Sequence, residues 1–297
     1  MKKNKINVCC IIITYNPDIK YLNKVIKSIE MNTSNYIIVD NASQNMKLIK
    51  SLVTDDKFIS LDKNVGIAAA QNIGIKHAIE KKVDYIWLSD QDTIYQTTYL
   101  ESINTCIENL TVKKVNYAVV GPAFVEVNRG TIQPFLKFEF FTKKFIPSKG
   151  ENIVSQLIAS GMVIPVDVFE IVGFKNEDLF IDLVDFEWCW RATSKGYYII
   201  GCGNTFIEHT LGDEMIPLFG KQISVRSPFR HYFIIRNTIY LSLRYRDIPL
   251  PIKIEMFSKT LIWMFVYPYL AKKDKIKHLR ATTKGFVHGL IGRLGPI

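Results

Sequence analysis

Short apolar segments rich in β-branched residues alternate with helical segments along the first part of this chain. The predicted strands are residues 8–14 (VCCIIIT), 36–40 (YIIVD), 58–61 (FISL) and 85–89 (YIWLS). The predicted helices, at 19–30, 45–53 and 66–81, carry apolar side chains at helical spacing. Strands and helices that alternate in this way form a parallel sheet covered by helices. The sequence therefore predicts an α/β fold.

The remainder of the chain divides into an irregular part and a helical part. Strand-like segments at 117–120, 124–127 and 154–164 predict that the sheet continues as a mixed one. After Ser227 and Pro228, helical segments follow at 229–246, 251–271 and 274–291. We therefore expect two domains, one at 1–225 that contains the sheet and a C-terminal helical extension at 226–297.

Composition narrows the class of protein. With 297 residues, 48% of them hydrophobic and 22% charged, the chain can bury a substantial core, which excludes a disordered or fibrous protein. The five cysteines form no CxxC pair and their number is odd. The apolar segment that follows residues 1–5 shows no cleavage site of small residues. We therefore expect reduced thiols and a cytoplasmic protein.

Positive charge is concentrated near the C-terminus. Residues 221–297 hold 15 Lys and Arg against 3 Asp and Glu, whereas residues 1–220 hold 23 against 25. This excess predicts an anionic partner. Residues 261–270 (LIWMFVYPYL) are apolar but fall far short of the roughly 20 residues of a spanning helix. Beside so many cations they indicate either an interfacial membrane segment or a helix that packs on the first domain with a solvated basic face.

Three of the four predicted strands end in polar residues. These ends are Thr14-Tyr15-Asn16, Asp40-Asn41-Ala42-Ser43 and Ser89-Asp90-Gln91-Asp92. Because the ligand crevice of such a sheet lies outside the carboxyl ends of its strands, we expect these residues to converge on one site. Asp90 and Asp92 either hold Mg²⁺ or Mn²⁺ against a diphosphate or cap the loop. Asp40 either accepts hydrogen bonds from a base or ribose or caps a turn.

A run of small residues lies between Asn64-Val65-Gly66 and Asn72-Ile73-Gly74. This pattern suits a helix whose N-terminus points at an anion. A tightly packed helix that starts at Gly66 is the alternative. The sequence leaves both interpretations open.

A second acidic cluster lies in FIDLVDFEWCWR, where a helix is predicted to begin close to Asp185. Asp185 is the better candidate for a general base, because Glu187 precedes Arg191 by four residues, the spacing of an ordinary helical ion pair. His209 is either a neutral metal ligand beside Asp92 or a histidine without a ligand. Three arginines follow, and they either reach phosphates of the donor or acceptor or form a solvated helix face: Arg226, Arg230 and Arg236.

As an ordered series, these segments resemble the family 2 inverting glycosyltransferases of the GT-A fold, over about residues 6–245. The matching segments are TYN at 14–16, VDNAS at 39–43, NVGIAAAQNIG at 64–74, LSDQDT at 88–93, SG at 160–161, VDFEWCWR at 184–191 and HTLG at 209–212. Within the family, FID..D.EWC.R and SPFRHYFIIRN at 227–237 are most similar to bacterial rhamnosyltransferases that build O-antigen or other surface polysaccharides from dTDP-rhamnose.

The resemblance implies a Rossmann-like GT-A domain, mostly parallel and flanked by helices, and a role for each matched residue. The implied nucleotide-sugar contacts are Thr14, Tyr15, Asn16, Asp40, Asn64, Gly66, Asn72, Asp90, Gln91, Gly161 and Trp188. Asp92 is the implied direct ligand of Mg²⁺ or Mn²⁺, with Asp90 beside it and His209 a second candidate. Asp185 matches the catalytic Asp of the family's Glu-Asp pair. Val184 replaces the Glu, and Glu187 stands where many members carry Asp, so Glu187 remains a second candidate for catalysis.

These roles imply a reaction. A divalent ion neutralises the charge that develops on the leaving diphosphate, while a carboxylate on the opposite face removes a proton from the attacking hydroxyl. The expected donor is dTDP-rhamnose, with a UDP-hexose as the alternative, and the expected acceptor is a lipid-linked glycan. We expect the basic tail to hold the protein peripherally on the anionic inner face of the cell membrane.

Three competing functions fit the residues less well. A phosphohydrolase with an Asp-x-Asp motif requires Thr or Val where this chain has Ile94. A basic membrane- or nucleic-acid-binding module leaves the polar strand ends unexplained, and no nucleic-acid-binding motif accompanies the charge, so we expect no nucleic-acid partner. A dinucleotide-dependent oxidoreductase requires GxGxxG after the first strand, where the chain reads TYNPD.

Overall fold

The computed structural model describes residues 6–126, 131–139, 142–209, 214–218 and 221–297. The chain forms two compact units. Unit one comprises Met1–Lys175 and Asp185–Thr210, and unit two comprises Asn176–Val184 and Leu211–Ile297. The functional division into 1–225 and 226–297 stays a prediction.

The bounds of the elements follow. The strands are β1 (Val8–Thr14), β2 (Tyr36–Asp40), β3 (Phe58–Ser60), β4 (Tyr85–Asp90), β5 (Thr93–Tyr95), β6 (Tyr117–Glu126), β7 (Thr131–Ile132), β8 (Phe135–Glu139), β9 (Thr142–Ile146), β10 (Glu151–Val154), β11 (Val163–Pro165), β12 (Tyr198–His209), β13 (Glu214–Leu218) and β14 (Lys221–Val225). The helices are α1 (Ile19–Glu30), α2 (Met46–Lys50), α3 (Ile67–Glu80), α4 (Tyr99–Val112), α5 (Val168–Val172), α6 (Val184–Ser194), α7 (Pro228–Arg244), α8 (Leu250–Leu270) and α9 (Lys275–Ile291).

Within the described residues, ten strands form one mixed sheet in unit one. Eight of them follow the path β10-β12-β6-β11-β4-β1-β2-β3, while β5 pairs with β12 and β7 pairs with β6. Strand β1 is central and pairs in parallel with both β2 and β4. Strand β11 runs antiparallel to β4 and β6, whereas β12 runs parallel to β6. The carboxyl ends of β1, β2 and β4 therefore lie at one edge of the sheet.

The position of strand β1 inside the sheet explains why its sequence is apolar throughout. Cys9, Ile11 and Ile13 belong to the core on one face of the sheet, and the alternate residues belong to the core on the other. A strand that is covered on both faces requires apolar side chains at every position. On the first face α3 approaches closely, since a Cβ on Gly74 would lie 2.4 Å from Cγ2 of Ile11.

The prediction of a single strand at 154–164 is wrong. The structure has two short strands there, β10 and β11, separated by a turn at Gly161. Gly161 has φ of 85°, and a Cβ at this position would lie 2.6 Å from Cγ of Pro122. The strand-like residues at the two ends of this segment form β10 and β11, but the sequence did not reveal the turn between them.

In unit two, α7 and α9 pack closely because α9 carries glycine where the helices meet. A Cβ on Gly285 would lie 2.5 Å from the carbonyl oxygen of Tyr232, and one on Gly289 would lie 2.6 Å from that of Arg236. Helix α8 follows α7 and contains Pro268. Across the described part of the chain, we find no helix that is both long and apolar enough to cross a membrane.

Candidate active site

The carboxyl ends of β1, β2 and β4 are joined by hydrogen bonds. The backbone N–H of Tyr15 donates to Oε1 of Gln91 at 2.7 Å, and the side-chain amide of Gln91 donates back to the Tyr15 carbonyl at 3.3 Å. The N–H of Asn16 donates to Oγ of Ser43 at 2.8 Å. The structure thus brings the three polar strand ends together at one edge of the sheet.

Asp40 is fully buried and both of its carboxylate oxygens accept hydrogen bonds from the protein. Oδ1 accepts from the hydroxyls of Thr14 at 2.9 Å and Ser43 at 2.5 Å, and Oδ2 accepts from the Ser43 N–H at 2.9 Å. Asp40 therefore holds the turn after β2, which is one of its two predicted roles. A contact with a nucleotide stays a prediction.

Asn64 and Gly66 attach the start of α3 to the same edge. Oδ1 of Asn64 accepts from the Gly66 N–H at 2.9 Å and from the side chain of Asn41 at 3.1 Å, while Oδ1 of Asn41 accepts from the Val65 N–H at 2.9 Å. Because Gly66 precedes α3, the N-terminus of this helix lies beside the end of β2. Asn41 belongs to one of the three polar strand ends that were expected to converge, but no individual role was predicted for it.

Asn72 binds another segment of the chain, and the nucleotide-sugar contact predicted for it stays a prediction. Its amide accepts from the N–H of Lys175 and donates to the carbonyl of Lys175, both at 2.9 Å, and the side chain is 2% exposed. Asn72 therefore clamps the segment that contains Lys175. The sequence gives no sign of this pairing, because the partners lie 103 residues apart.

Asp90 and Asp185 are held by two adjacent residues. Oδ2 of Asp90 accepts from the hydroxyl of Ser160 at 2.6 Å, and Oδ2 of Asp185 accepts from the N–H of Ala159 at 3.0 Å. The next residue, Gly161, donates its N–H to the carbonyl of Leu88 at 2.8 Å, which fixes this segment against β4. One carboxylate from each acidic cluster is therefore bound by neighbouring residues of one segment.

Asp185 lies in the first turn of α6 and is partly buried. Burial raises the pKa of its carboxyl group to about 6, the negative charge of Asp90 acts in the same direction, and the positive charge of Lys175 lowers this pKa. At neutral pH most molecules carry the ionised form, which is the state a general base requires.

Glu187 and Trp188 are core residues that hold α6 in place. The fully buried Glu187 accepts from Nε of Arg191 at 2.7 Å and from Nη2 at 3.1 Å. The indole N–H of Trp188 donates to the Gly173 carbonyl at 2.9 Å. The structure therefore shows the helical ion pair rather than an exposed carboxylate at Glu187, and we leave both residues out of the proposed site.

In unit two, Arg226 and Arg230 bind Asp182, a carboxylate of the second acidic cluster for which no pairing was predicted. Nη1 of Arg226 lies 3.0 Å from Oδ1 of Asp182, and Arg230 contacts both carboxylate oxygens of Asp182 at 2.6 and 2.7 Å. Arg236 is fully buried, and its Nη2 donates to the Leu179 carbonyl at 2.9 Å. Because its guanidinium binds backbone carbonyls in the interior, Arg236 is not available for the predicted contact with a phosphate.

Asp90 and Asp92 provide the oxygen donors of a candidate metal site at the end of β4. Mg²⁺ is typically bound by one or two carboxylates together with water and substrate phosphates. In the residues that the structure describes, no group of three His, Cys, Asp or Glu is placed to hold a metal. The donor set therefore fits an ion shared with a phosphate. The side chain of His209 lies outside the described residues, so its role as a ligand stays a prediction.

The model of glycosyl transferase family 2 matches residues 9–165, and the chain belongs to this family. It is 32% identical to the dTDP-rhamnosyl transferase RfbF of Shigella flexneri, over 96% of this chain and 97% of the relative. The family predicted from the sequence, and the narrower likeness to rhamnosyltransferases, are confirmed.

Solved structures of low sequence identity share the fold. The structure of S. aureus TarS 1–349 in complex with UDP-GlcNAc has a TM-score of 0.60 at 15% identity, over 96% of this chain and 81% of that one. The structure of GalNAc-T7 with UDP, GalNAc and Mn²⁺ also gives 0.60, at 12% identity, and this chain spans only 57% of its length. The predicted GT-A fold, with a mostly parallel sheet flanked by helices and with C-terminal helices, is confirmed.

Proposed function

We propose that the chain transfers L-rhamnose from dTDP-rhamnose to a hydroxyl group of a lipid-linked glycan, in the synthesis of a bacterial surface polysaccharide such as O-antigen. The observation that carries the proposal is the pair of hydrogen bonds by which Ala159 and Ser160 hold Asp185 and Asp90. The name of the relative from Shigella flexneri supports rhamnose and dTDP as the donor's components.

Asp185 is the proposed general base. Its pKa of about 6 makes it a stronger base than an ordinary Asp while it stays ionised at neutral pH. The N–H groups of Ala159 and Phe186 hold its two oxygens, which fixes the direction from which an acceptor hydroxyl can approach. Attack from the side opposite the leaving group inverts the anomeric carbon, so a β-linked donor gives an α-linked product.

The edge of the sheet is the proposed nucleotide-binding site. Tyr15 is 48% exposed there, so its ring can stack on a base. The N-terminus of α3, which Asn64 and Gly66 anchor to this edge, favours a diphosphate through its unpaired N–H groups and its dipole. Thr14, Asn16 and Asp40 support this surface from β1 and β2.

Asp92 and Asp90 are the proposed ligands of Mg²⁺ or Mn²⁺. Such an ion supplies neutralisation of the negative charge that develops on the leaving diphosphate. Ser160 orients Asp90 through its hydroxyl group, and the Gln91 side chain holds the loop between the two carboxylates against Tyr15.

A thermal-shift panel of dTDP, UDP and their sugar conjugates, with and without Mg²⁺ or Mn²⁺, tests this proposal. Binding stabilises the folded state, so dTDP and dTDP-rhamnose should raise the melting temperature when the metal is present. A shift with UDP alone would instead assign a UDP-hexose donor. If no sugar nucleotide shifts the melting temperature, while nucleic acid binds in a salt-sensitive way, the protein is a basic binding module and the proposal is wrong.

The surface of unit two supports the membrane part of the proposal. Only three of the 21 residues of α8 are buried, although the helix is rich in apolar side chains. Its exposed apolar residues recur at helical spacing and form what we call the α8 stripe: Leu250, Ile254, Leu261, Ile262, Phe265 and Tyr269. An apolar surface of this kind, followed by exposed cations at Lys273, Lys275 and Arg280, is the composition of a segment that lies in an anionic membrane surface.

Within unit two, Arg226 and Arg230 are the proposed contacts for a phosphate of the acceptor lipid. Both guanidinium groups bind the Asp182 carboxylate, which holds them side by side. Asp182 fixes both guanidinium groups and leaves them some exposure to solvent.

A further inference from the structure

Lys175 is a buried lysine with weak partners. The residue is 3% exposed. Its Nζ lies 4.4 Å from the centroid of the Trp188 ring and 3.9 Å from Sδ of Met162. An indole face and a thioether compensate only partly for the water that a buried ammonium group loses, and burial lowers the pKa of Lys175 to about 8. Keeping an ammonium group in this position therefore costs free energy, which these neighbours do not fully offset.

The backbone of Lys175 is fixed as firmly as its side chain. Asn72 of α3 accepts from its N–H and donates to its carbonyl, so the amide closes a ring of two hydrogen bonds. Asn72 is itself buried. The ammonium group therefore has a defined position beside α6.

The geometry of α6 places Asp185 on the face of the helix that carries Trp188, whose ring Lys175 covers. Asp185 precedes Trp188 by three residues and Cys189 by four, so the three side chains lie on one face of the helix. Lys175 covers the ring of Trp188 on this face. The charge of Lys175 lowers the pKa of Asp185, and the charge of Asp185 raises the pKa of Lys175, as such a placement requires.

The other charged groups around this pair are few. Asp90 raises the pKa of Asp185. Glu187 and Arg191 act on Lys175 with opposite signs and form an ion pair with each other. Burial raises the pKa of the Cys189 thiol to about 12, so that group is neutral at pH 7.

We propose that Lys175 is a positioning residue for the reaction, whose ammonium group, fixed on the Trp188 ring, keeps the Asp185 carboxylate ionised at neutral pH. Burial and Asp90 both favour the protonated form of Asp185, and a protonated carboxyl group cannot accept the proton of the acceptor hydroxyl. Lys175 opposes these two effects without touching the substrate. The inference rests on the proposed role of Asp185 as the base.

The test compares Lys175→Met with Lys76→Met, each in the full-length protein. Met has nearly the length of Lys and suits an apolar pocket, so Lys175→Met removes the charge and keeps the packing. Lys76 is an exposed lysine of α3 whose Nζ lies 5.2 Å from the Phe174 ring, so its variant removes one charge from a solvated position nearby. The first readout is the titration of the Asp185 carboxyl carbon by ¹³C NMR, without donor or metal and assigned with Asp185→Asn.

In Lys175→Met we expect the midpoint of this titration to rise by about one pH unit or more, whereas Lys76→Met should leave it unchanged. The acidic limb of the pH profile of kcat/KM should move to higher pH by the same amount. At pH values below this limb, kcat/KM should therefore fall about tenfold. A midpoint that is the same in Lys175→Met and in the wild type overturns the inference. If the midpoint moves in Lys175→Met but the wild-type protein shows no glycosyltransferase activity, the proposed function is refuted and the link between Lys175 and Asp185 stays intact.

A purely structural role for Lys175 gives a different result. It predicts a lower melting temperature in Lys175→Met with an unchanged titration of Asp185. Our inference predicts a raised midpoint whether the melting temperature rises or falls, because the variant no longer buries an ammonium group but leaves the Asp185 carboxylate without its compensating charge. A lower melting temperature together with an unchanged midpoint would therefore contradict it.

Discussion

The hydroxyl of Ser160 donates a hydrogen bond of 2.6 Å to Oδ2 of Asp90, across 70 residues of sequence. The Ser160 side chain is fully buried, and its oxygen also lies 3.0 Å from Oγ1 of Thr93, at the start of β5. Ser160 therefore connects the carboxylate at the end of β4 with the strand that follows the loop. This contact fixes the direction in which Asp90 presents its second oxygen.

Ser160→Ala should weaken the use of the donor. Loss of a hydrogen bond to a charged acceptor costs about 1.5–3 kcal/mol, so we expect kcat/KM for the sugar nucleotide to fall about 10- to 100-fold. Steady-state kinetics with varied donor concentration measures this effect. Ser51→Ala is the matched control, because Ser51 is exposed after α2 and its hydroxyl donates only to a local carbonyl. Equal kcat/KM in the two variants would show that Ser160 does not position Asp90.

Asp185→Asn should lower turnover by about 10²- to 10⁴-fold, the usual contribution of a general base, and leave donor binding nearly unchanged. Single-turnover rates together with calorimetric titration of the donor separate the two quantities. Turnover close to that of the wild type would remove Asp185 from the mechanism.

The same variant should be more stable than the wild type at high pH. The folded state raises the pKa of Asp185 from 3.8 to about 6, so folding favours the protonated form. This favourable contribution is complete below about pH 4 and is lost as the pH rises through about 6. At pH 8 the neutral Asn should therefore stabilise the protein by less than about 3 kcal/mol. That figure corresponds to the whole pKa shift, and the partial solvation of the side chain reduces it. Denaturant unfolding at pH 4 and pH 8 checks this, and a stability difference independent of pH would contradict the raised pKa.

Asp92→Ala should abolish the metal-dependent part of donor binding. A carboxylate ligand contributes both charge and a coordination bond, so the melting-temperature shift by dTDP should no longer depend on Mg²⁺ or Mn²⁺. Asp62→Ala, at an exposed position after β3, is the control. The same metal dependence in Asp92→Ala and in the wild type would rule out Asp92 as a ligand.

Charge reversal beside the α8 stripe should release the protein from anionic vesicles. Each cation near such a surface contributes about 1 kcal/mol, so Lys273→Glu, Lys275→Glu and Arg280→Glu together should weaken binding at least about 100-fold. Co-flotation with vesicles that contain phosphatidylserine measures it. The control reverses three exposed lysines of α1 in unit one, Lys20, Lys24 and Lys27. If both triple variants lose binding equally, net charge rather than this surface is responsible.

The first strands and helices could be predicted from the sequence almost residue by residue. Strands β1 and β2 and helix α1 have the predicted bounds, because a strand covered on both faces is apolar throughout and α1 buries only one face. The turn at Gly161 escaped prediction, since local sequence does not show that Pro122 and Tyr99 enclose this glycine.

The site could be predicted in part. The alternation of strands and helices, and the rule that ligands bind at the carboxyl ends of parallel strands, were enough to predict that Tyr15, Asn16, Asp40 and Gln91 lie together. The contacts that depend on a third segment could not be foreseen, such as the attachment of Asp185 to Ala159 and the engagement of Arg236 by the Leu179 carbonyl. No local pattern of residues announces a hydrogen bond to a distant backbone atom.

The two sides of helix α9 differ in the substitutions that they tolerate. At Gly285 and Gly289, one turn apart, even a methyl group would collide with backbone atoms of α7, so these positions admit only hydrogen. The opposite side, with Ile276, Leu279 and Arg280, meets no such obstacle. Substitutions there can therefore change which side chains α9 exposes while the three C-terminal helices keep their arrangement.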